Sequence, residues 1–445
     1  MSKIEVNAIE PQCGTTLTLG ASGDTVTLAS GASSSGFGRT GAVDWQTTVK
    51  TGDFTAANGE GYFINAAGGA VTVTLPGSPS AGSIVGISDY NGSTSSNDIT
   101  VARNGSNING SALNMTIEKA NSAVQLLYVD ATTGWQSIST SNTSDVSSAF
   151  ISASGGTETT TGDFKIHTFT GPGTFTVNRV AVAAANNEVS HLVIAGGGGG
   201  GSKASGGPGG VGGGGAGGFR ESKSPVDCYS ASPLEGGTAV TVTAQAYPIT
   251  VGAGGTGGAA PGNIGGSGGV STFSTVTSAG GGGGSHSPSP ATGADGGSGG
   301  GGNGGNSTVG GAGNTPSVSP AQGNPGGTGG NSGGGGGGAT ATGGDKGSPV
   351  DIAGAGGAGA TSSITGSPVA RAGGGGGGGY NGQALGAGGS GGGGAGTTGP
   401  NAGAAANGTD NTGGGAGGRG GPSPSPNLAG ANGGSGIVII RYKIS

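Results

Sequence analysis

Little in this chain is suited to a conventional protein interior. Only 8% of its 445 residues are charged and 4% aromatic, with 31% hydrophobic against 118 glycines. A core of ordinary density must therefore be confined to part of the length. The 15 Lys and Arg against 21 Asp and Glu leave a formal net charge of -6 and no basic stripe, so nucleic acid is not an expected partner. Disorder usually pairs low hydrophobicity with many charges, whereas here the polar surface is made of Gly, Ser, Thr and Asn. Cys13 and Cys228 are the only cysteines and stand far apart, which excludes a disulfide framework and zinc-ligand spacing. No apolar run approaches the ~20 residues of a membrane span. Met1-Ser2-Lys3-Ile4-Glu5-Val6 carries no apolar signal segment, so synthesis in a cytosol without a classical secretion signal is expected.

What is present changes character along the chain. Thr16-Leu17-Thr18-Leu19 and Thr25-Val26-Thr27-Leu28 alternate apolar residues with Thr and predict short strands with one buried face, too few to form a core alone. Residues 1–40 read as an attachment and oligomerisation segment. From 41 to 140 the vocabulary is that of a β domain: Tyr62-Phe63-Ile64, Val71-Thr72-Val73-Thr74-Leu75-Pro76, Ile84-Val85-Gly86-Ile87 and Val124-Gln125-Leu126-Leu127-Tyr128, with turn signals at Asn91-Gly92, Asn104-Gly105 and Asn109-Gly110. Trp45 and Trp135 are read as packing residues. With its Gly61-Tyr62-Phe63, Val73-Thr74-Leu75-Pro76, Asn104-Gly105 and Gly134-Trp135 marks, this stretch resembles a small β-sandwich module of phage tail fibres. Residues 141–162, rich in Ser, Thr and Asn, read as a linker.

From 163 to 445 strand-like segments bracket glycine tracts. Phe164-Lys165-Ile166-His167-Thr168-Phe169 and Ser190-His191-Leu192-Val193-Ile194-Ala195 precede Gly196, and the chain closes on Gly436-Ile437-Val438-Ile439-Ile440-Arg441-Tyr442. Ordering a residue costs about 1–2 kcal/mol, most for glycine, and apolar burial is scarce here, so backbone hydrogen bonds must stabilise any fold. Glycine permits extended helices of three residues per turn packed closely enough to bond to one another. Runs at 280–284, 299–302, 333–338, 373–379 and 391–394 predict such rods, seven residues spanning about 22 Å. Ser-Pro segments near 286–290, 315–320, 347–350, 366–369 and 422–426 predict the loops at rod ends, and the flanking strands predict a hub that clamps them. The expected fold is mainly β: an N-terminal β segment, a small β-sandwich domain, then a β-hub clamping a bundle of polyglycine/polyproline-II-like helices.

No chemistry-bearing constellation emerges. Gly-x-Gly-x-x-Gly matches carry no information at this glycine content, and the phosphate-loop Gly-Lys-Ser/Thr signature is absent. Asp295, Asp345, Asp351 and Asp410 are too irregular for calcium-binding repeats. His167 and His191 fall in predicted strands and His286 stands alone in a loop, so no metal site is expected. Asp53 with Glu60 lacks the long parallel β-helix on which glycan-cleaving carboxylate pairs usually sit. The reading is of a non-enzyme with no catalytic residues and no cofactor.

The segments His167-Thr168-Phe169, Gly173-Thr174-Phe175, Leu192-Val193-Ile194-Ala195-Gly196, Gly217-Gly218-Phe219-Arg220, Val251-Gly252-Ala253-Gly254-Gly255 and Gly436-Ile437-Val438-Ile439 resemble the glycine-rich domain of phage tail-fibre and adhesin proteins. The resemblance implies a virion protein that reaches the cell exterior by assembly and lysis, with loops at the tip of a polyglycine-II bundle contacting a bacterial outer-surface receptor, a glycan, lipopolysaccharide or outer-membrane protein. Attachment to other virion tail proteins is expected through the N-terminus, and a homotrimer assembled mainly through the N-terminal half, since Thr16 to Leu28 offers one apolar strand face and the glycine-rich half little hydrophobic interface. The insertion from Glu221 to Gly237 departs from the compact form, either as a tip loop or as a longer connection. Interface energy concentrates in large side chains, which makes Tyr229 and Tyr380 the candidate receptor-binding residues, with Leu385 and Arg371 beside the 373–379 run as secondary candidates; the other reading of each Tyr is that it caps a rod end or packs on the hub. The other reading is a purely structural virion appendage or connector with the glycine-rich half as a stiff spacer.

Overall fold

The computed structural model describes residues 43–444 except 96, 141–149, 182, 208, 289–290, 306–307, 348–350, 399–403 and 422–426. The attachment segment expected over 1–40, with Cys13, lies outside the described residues. The protein is mainly β, and among the described residues there is no α-helix. It divides into two compact units, Met1–Asp145 and Val146–Ser445.

The first unit holds β1 (Asp44–Lys50), β2 (Phe54–Thr55), β3 (Glu60–Ile64), β4 (Val71–Thr74), β5 (Ile84–Asp89), β6 (Ile99–Ala102), β7 (Met115–Ile117), β8 (Ala123–Asp130) and β9 (Gly134–Thr140). They form two sheets, ordered β1-β3-β5-β8-β9 and β2-β4-β6-β7. The alternating residues Val71, Val73, Ile99 and Val101 of one sheet and Tyr62, Ile64, Ile87, Val124 and Leu126 of the other are buried, the period-two pattern of half-buried strands. The first six strands visit the two sheets by turns, and β1, β3, β5 and likewise β2, β4, β6 pair in parallel. The Asn-Gly signals suggested hairpins throughout. Only Asn109-Gly110 closes a two-residue turn between residues that pair directly, Ile108 and Ser111 exchanging two backbone bonds of 2.9 Å. Trp135 is fully buried and meets Tyr128 edge-on at 5.6 Å.

The second unit begins with β10 (Ser152–Ser154) and β11 (Thr157–Thr161), inside the stretch read as a linker; Thr-rich β11 is wholly exposed, which is why composition alone did not separate it from a spacer. Then come β12 (Phe164–Phe169), β13 (Gly173–Arg179), β14 (Glu188–Ile194), β15 (Phe219–Ser222), β16 (Val240–Thr241), β17 (Ala246–Thr250), β18 (Ser271–Phe273), β19 (Val276–Ser278), β20 (Ala360–Ser362), β21 (Val369–Arg371) and β22 (Ile437–Lys443). One sheet runs β10-β13-β17-β18-β19 and another β11-β12-β22-β14-β15. The closing strand β22 is thus central, antiparallel to β12 on one side and to β14 on the other. Phe169, Phe175, Val193, Tyr247, Phe273, Val438 and Ile440 share one core, and Ile166, Leu192, Ile194, Phe219, Ile437 and Ile439 a second on the opposite face of the central strands. This is the hub the flanking strands predicted.

Between β14 and β22 the glycine tracts run back and forth as straight rods joined by backbone bonds. In rod 196–203, Gly196 and Gly199 donate to Gly269 and Gly266, Gly197 and Gly200 to Gly434 and Ala431, and Gly198 to Gly215. The carbonyls of Gly196, Gly197 and Gly198 accept in turn from Gly281, Gly255 and Ala416. Successive residues therefore point to different neighbours with a repeat of three, as a three-residue turn requires. Rods 333–339 and 372–379 repeat the pattern, Gly333 and Gly336 donating to Gly378 and Gly375 while Gly334 and Gly337 donate to Gly302 and Gly299. Close packing explains the composition: a Cβ on Gly197, Gly198 or Gly199 would stand 2.1 Å from the carbonyl oxygen of Gly414, Gly282 or Thr256. On outer rods only every third residue faces away from the lattice. Side chains appear there, as at Ala253 and Thr256, or Ile264, Ser267 and Val270.

Three of the four aspartates too irregular for calcium repeats have another role at this boundary. Oδ1 of Asp295 accepts from the Ala312 N–H at 2.6 Å, that of Asp345 from Thr328 at 2.7 Å and that of Asp410 from Ser435 at 3.1 Å. Each satisfies an outward backbone donor that a further rod would otherwise take. The run 391–394 is not one rod: Gly391 and Gly392 have φ of +97° and +98° and turn the chain at the hub end.

Candidate functional site: the far end of the rods

Rod direction follows from the hub. Rod 196–203 leaves β14 and turns at 204–209, and rod 210–218 returns to β15; the chain turns likewise at 259–262 and 380–383, with Ala260-Pro261-Gly262 and Tyr380-Asn381-Gly382-Gln383 at the far end. The Ser-Pro segments are divided between the ends. Among the described residues His286-Ser287-Pro288 lies at the far end and the segments near 315–320 and 366–369 at the hub end, while 289–290, 348–350 and 422–426 fall outside the described residues.

Tyr380 ends rod 372–379. Its N–H donates to Ser332 Oγ at 3.1 Å, its carbonyl accepts from Gln383 N–H at 2.9 Å, and Asn381 and Gly382 take φ of +49° and +84° to make the turn. The ring is half-buried. Leu385, on the returning rod, is 40% exposed, and Ile352 on the adjoining rod is 41% exposed. The two rods are held in register by the Ala353 N–H bond to the Ala384 carbonyl at 3.1 Å. Ile264 and Val309, the latter 59% exposed, likewise follow far-end turns on their rods. Four of the five exposed large hydrophobic residues described in the second unit thus stand at the far end, Val270 being the fifth. Ile264, Val309 and Ile352 escaped the sequence reading; the available signal was an apolar residue at the outward third position beside a turn.

Beneath these side chains the far end is tightly bonded. Lys203 is fully buried; its Nζ donates to the carbonyls of Gly207, at 2.9 Å, and Gly209, and burial lowers its pKa to about 8. Ser332 Oγ donates to the Asp351 carbonyl at 2.7 Å, and Thr308 Oγ1 to Asn303 at 2.7 Å. These bonds hold the turns from which Ile352, Tyr380 and Val309 project.

The other two candidates lie at the opposite end, in the hub. Tyr229 and Arg371 are each 7% exposed. Tyr229 packs in the hub core beside Phe219 and Ile364 and donates its hydroxyl to Glu221 Oε1 at 3.1 Å; burial and that carboxylate push its pKa far up. Glu221, itself fully buried, also accepts from Ser362 Oγ at 2.5 Å and Ser232 N–H at 2.9 Å. The insertion from Glu221 to Gly237 therefore folds back on its own first residue, Gly237 N–H donating to the Glu221 carbonyl at 2.9 Å. It is a connection packed on the hub. Beside it Asp227 and Arg441 form a buried ion pair at 3.0 Å, with the guanidinium over the Phe164 and Tyr229 rings. Arg371 ends β21, where burial lowers its pKa and the nearby Glu221 charge partly restores it. Cys228 is exposed as a free thiol.

No helix among the described residues is long and apolar enough to cross a membrane. No curated protein matches the chain. A family model described as a glycine-rich domain matches residues 168–443, from β12 through the rods to the end of β22. The chain belongs to that glycine-rich domain family.

Proposed function

We propose that this member of the glycine-rich domain family is a bacteriophage tail-fibre or related virion-appendage protein that attaches to the bacterial host surface through the far end of its rod bundle. One observation carries the reading: exposed apolar side chains gather where the rods turn, at Ile264, Val309, Ile352 and Leu385. A spacer gains nothing from apolar groups at its free end, whereas binding energy concentrates in large side chains on a rigid support. Among the candidate residues, Tyr380 and Leu385 fit this role. The receptor is a bacterial glycan, lipopolysaccharide or outer-membrane protein, the other partners are virion tail proteins met through the N-terminus, and the assembly is a homotrimer. No catalytic step and no cofactor enter the reading.

The test is labelling of host cells by fluorescent full-length protein, with purified lipopolysaccharide or outer-membrane protein as competitor. Tyr380→Ala with Leu385→Ala is expected to lower labelling severalfold with little loss of stability. Tyr229→Phe, which removes a hydrogen bond to a buried carboxylate, is expected to cost about 1–3 kcal/mol of stability and leave labelling intact. Labelling unchanged in the double variant moves binding away from this end. No labelling by the parent protein leaves the bundle as a spacer.

A further inference from the structure

Rod 210–218 is the centre of the lattice. It is bonded to six rods, through Gly198 to Gly215, Gly215 to Gly282, Gly301 to Gly213, Gly213 to Gly334, Gly375 to Gly214 and Gly214 to Ala416. Those six, 196–203, 280–285, 298–304, 333–339, 372–379 and 413–420, bond to one another in a closed ring. A second layer surrounds the ring. Five of its rods stand directly behind one ring rod each, bonded through Gly255 to Gly197, Gly311 to Gly300, Gly335 to Gly344, Gly386 to Gly377 and Gly417 to Ala406. Among the described residues no rod stands behind 280–285.

Rods 263–269 and 293–297 flank that open position, bonded to rod 280–285 through Gly265 to Gly284 and Ala294 to Gly283. With three residues to a turn, the donors of rod 280–285 take three directions. Gly281 and Gly284 donate to Gly196 and Gly199, and Gly282 and Ser285 to Ser298 and Gly301. Gly280 and Gly283 take the third direction, into the open position, and among the described residues their N–H groups have no acceptor. The carbonyls of Gly268 and Gly265 stand over them, where a Cβ on Gly280 or Gly283 would strike the oxygen, and these carbonyls have no donor among the described residues. Donors and acceptors alike recur every third residue, at ~3.1 Å per residue the repeat of another rod. Beside rod 280–285 runs a groove one rod wide, with unmet backbone groups of both kinds along it.

The equivalent positions elsewhere in the second layer show what fits. Their rods read Ala253-Gly254-Gly255-Thr256-Gly257-Gly258 and Val309-Gly310-Gly311-Ala312-Gly313, two glycines facing in and every third residue facing out. Residues 1–42 and 141–149 contain no Gly-Gly pair, and these X-Gly-Gly tracts of the chain are already bonded within the lattice, so a further strand of this kind must come from another polypeptide. We propose that the groove beside rod 280–285 is a docking site for a glycine-rich strand of a partner polypeptide, repeating X-Gly-Gly, which adds to the bundle as a further rod. That strand accepts from Gly280 and Gly283 and donates to Gly265 and Gly268, the glycine-rod counterpart of strand addition at a sheet edge. Docking here is independent of what the far end of the rods binds.

Amide exchange on the full-length protein tests it, with a synthetic peptide that repeats the sequence of residues 253–258 as the probe. In the protein alone Gly280 and Gly283 are expected to exchange at least tenfold faster than Gly281, Gly282 and Gly284. Millimolar peptide is expected to slow Gly280 and Gly283 at least threefold, while the same peptide with valine in place of its glycines leaves them fast. Exchange at both residues that the glycine peptide does not change overturns the docking site. Slow exchange at both in the protein alone overturns it as well, since the groove is then already closed. Equal slowing by the valine peptide overturns the requirement for a glycine strand.

Discussion

Ile194, the last residue of β14, pairs in antiparallel register with Ile437, the first of β22. The chain therefore enters its first glycine rod and leaves its last at adjacent positions of one sheet. Backbone bonds between rods contribute only about 0.5–1.5 kcal/mol each and must offset the ordering of glycine, so the pairing of these strands decides whether the rods form. Ile439, fully buried in the centre of β22, is the residue on which this closure should be felt. Ile439→Ala is expected to destabilise the second unit by about 2–5 kcal/mol, read from urea unfolding followed by circular dichroism. A loss below 1 kcal/mol would mean that the rods hold without the clamp.

Glycine is required differently at interior and outward positions. Gly198→Ala would place a methyl 2.1 Å from the Gly282 carbonyl oxygen with backbone on every side. The lattice must open by more than a rotamer change, and a cost of about 3 kcal/mol or more is expected. Ser267→Ala, at the outward position of an outer rod, is expected to change stability by less than about 0.5 kcal/mol. Thermal unfolding of the two variants side by side checks the contrast, and equal losses would contradict the rod assignment.

His191 is fully buried beside Phe273, their rings 5.7 Å apart. Burial, partly offset by the Val189 backbone, holds its pKa at about 4, well below the usual 6.5. Below pH 6.5 the unfolded chain takes up this proton while the folded chain does not, so stability falls as pH drops from 6.5 toward 4 and is recovered above 6.5. Burial of His167 lowers its pKa and acts in the same direction. The His191 contribution is on the order of 3 kcal/mol across that window. Urea midpoints measured from pH 7 to pH 4 are expected to fall less steeply for His191→Phe than for the parent; parallel slopes would contradict the assignment.

Much of the second unit was legible because its requirements are local. The apolar run from Ile437 to Tyr442 has no place in a spacer, and unbroken glycine over 373–379 admits little besides a rod with neighbours on all sides. Placement was less legible. Ser287-Pro288 and Ser367-Pro368 look alike, yet the first is at the far end and the second joins β20 to β21, because only the number of rods traversed determines the end reached. Tyr229 and Tyr380 are equally conspicuous aromatics in a glycine background, and it is Glu221, eight residues before Tyr229, that draws the first into the hub. The parallel winding of β1 to β6 gave no signal at all, since alternation reports which face is buried and not which strand lies beside it.

Amide hydrogen exchange on the full-length protein measures the rod lattice most directly. In rod 196–203 successive N–H groups bond to different neighbours, so Gly197 to Gly200 are all expected to be protected. In outer rod 263–269, Gly265, Gly266, Gly268 and Gly269 donate to neighbouring rods while Ile264 and Ser267 face outward. Their exchange is expected to alternate with a period of three, slow at the four glycines and fast at the two outward residues. Uniformly fast exchange through both segments, or protection without that period in the outer rod, would contradict a bundle of three-residue-turn glycine rods.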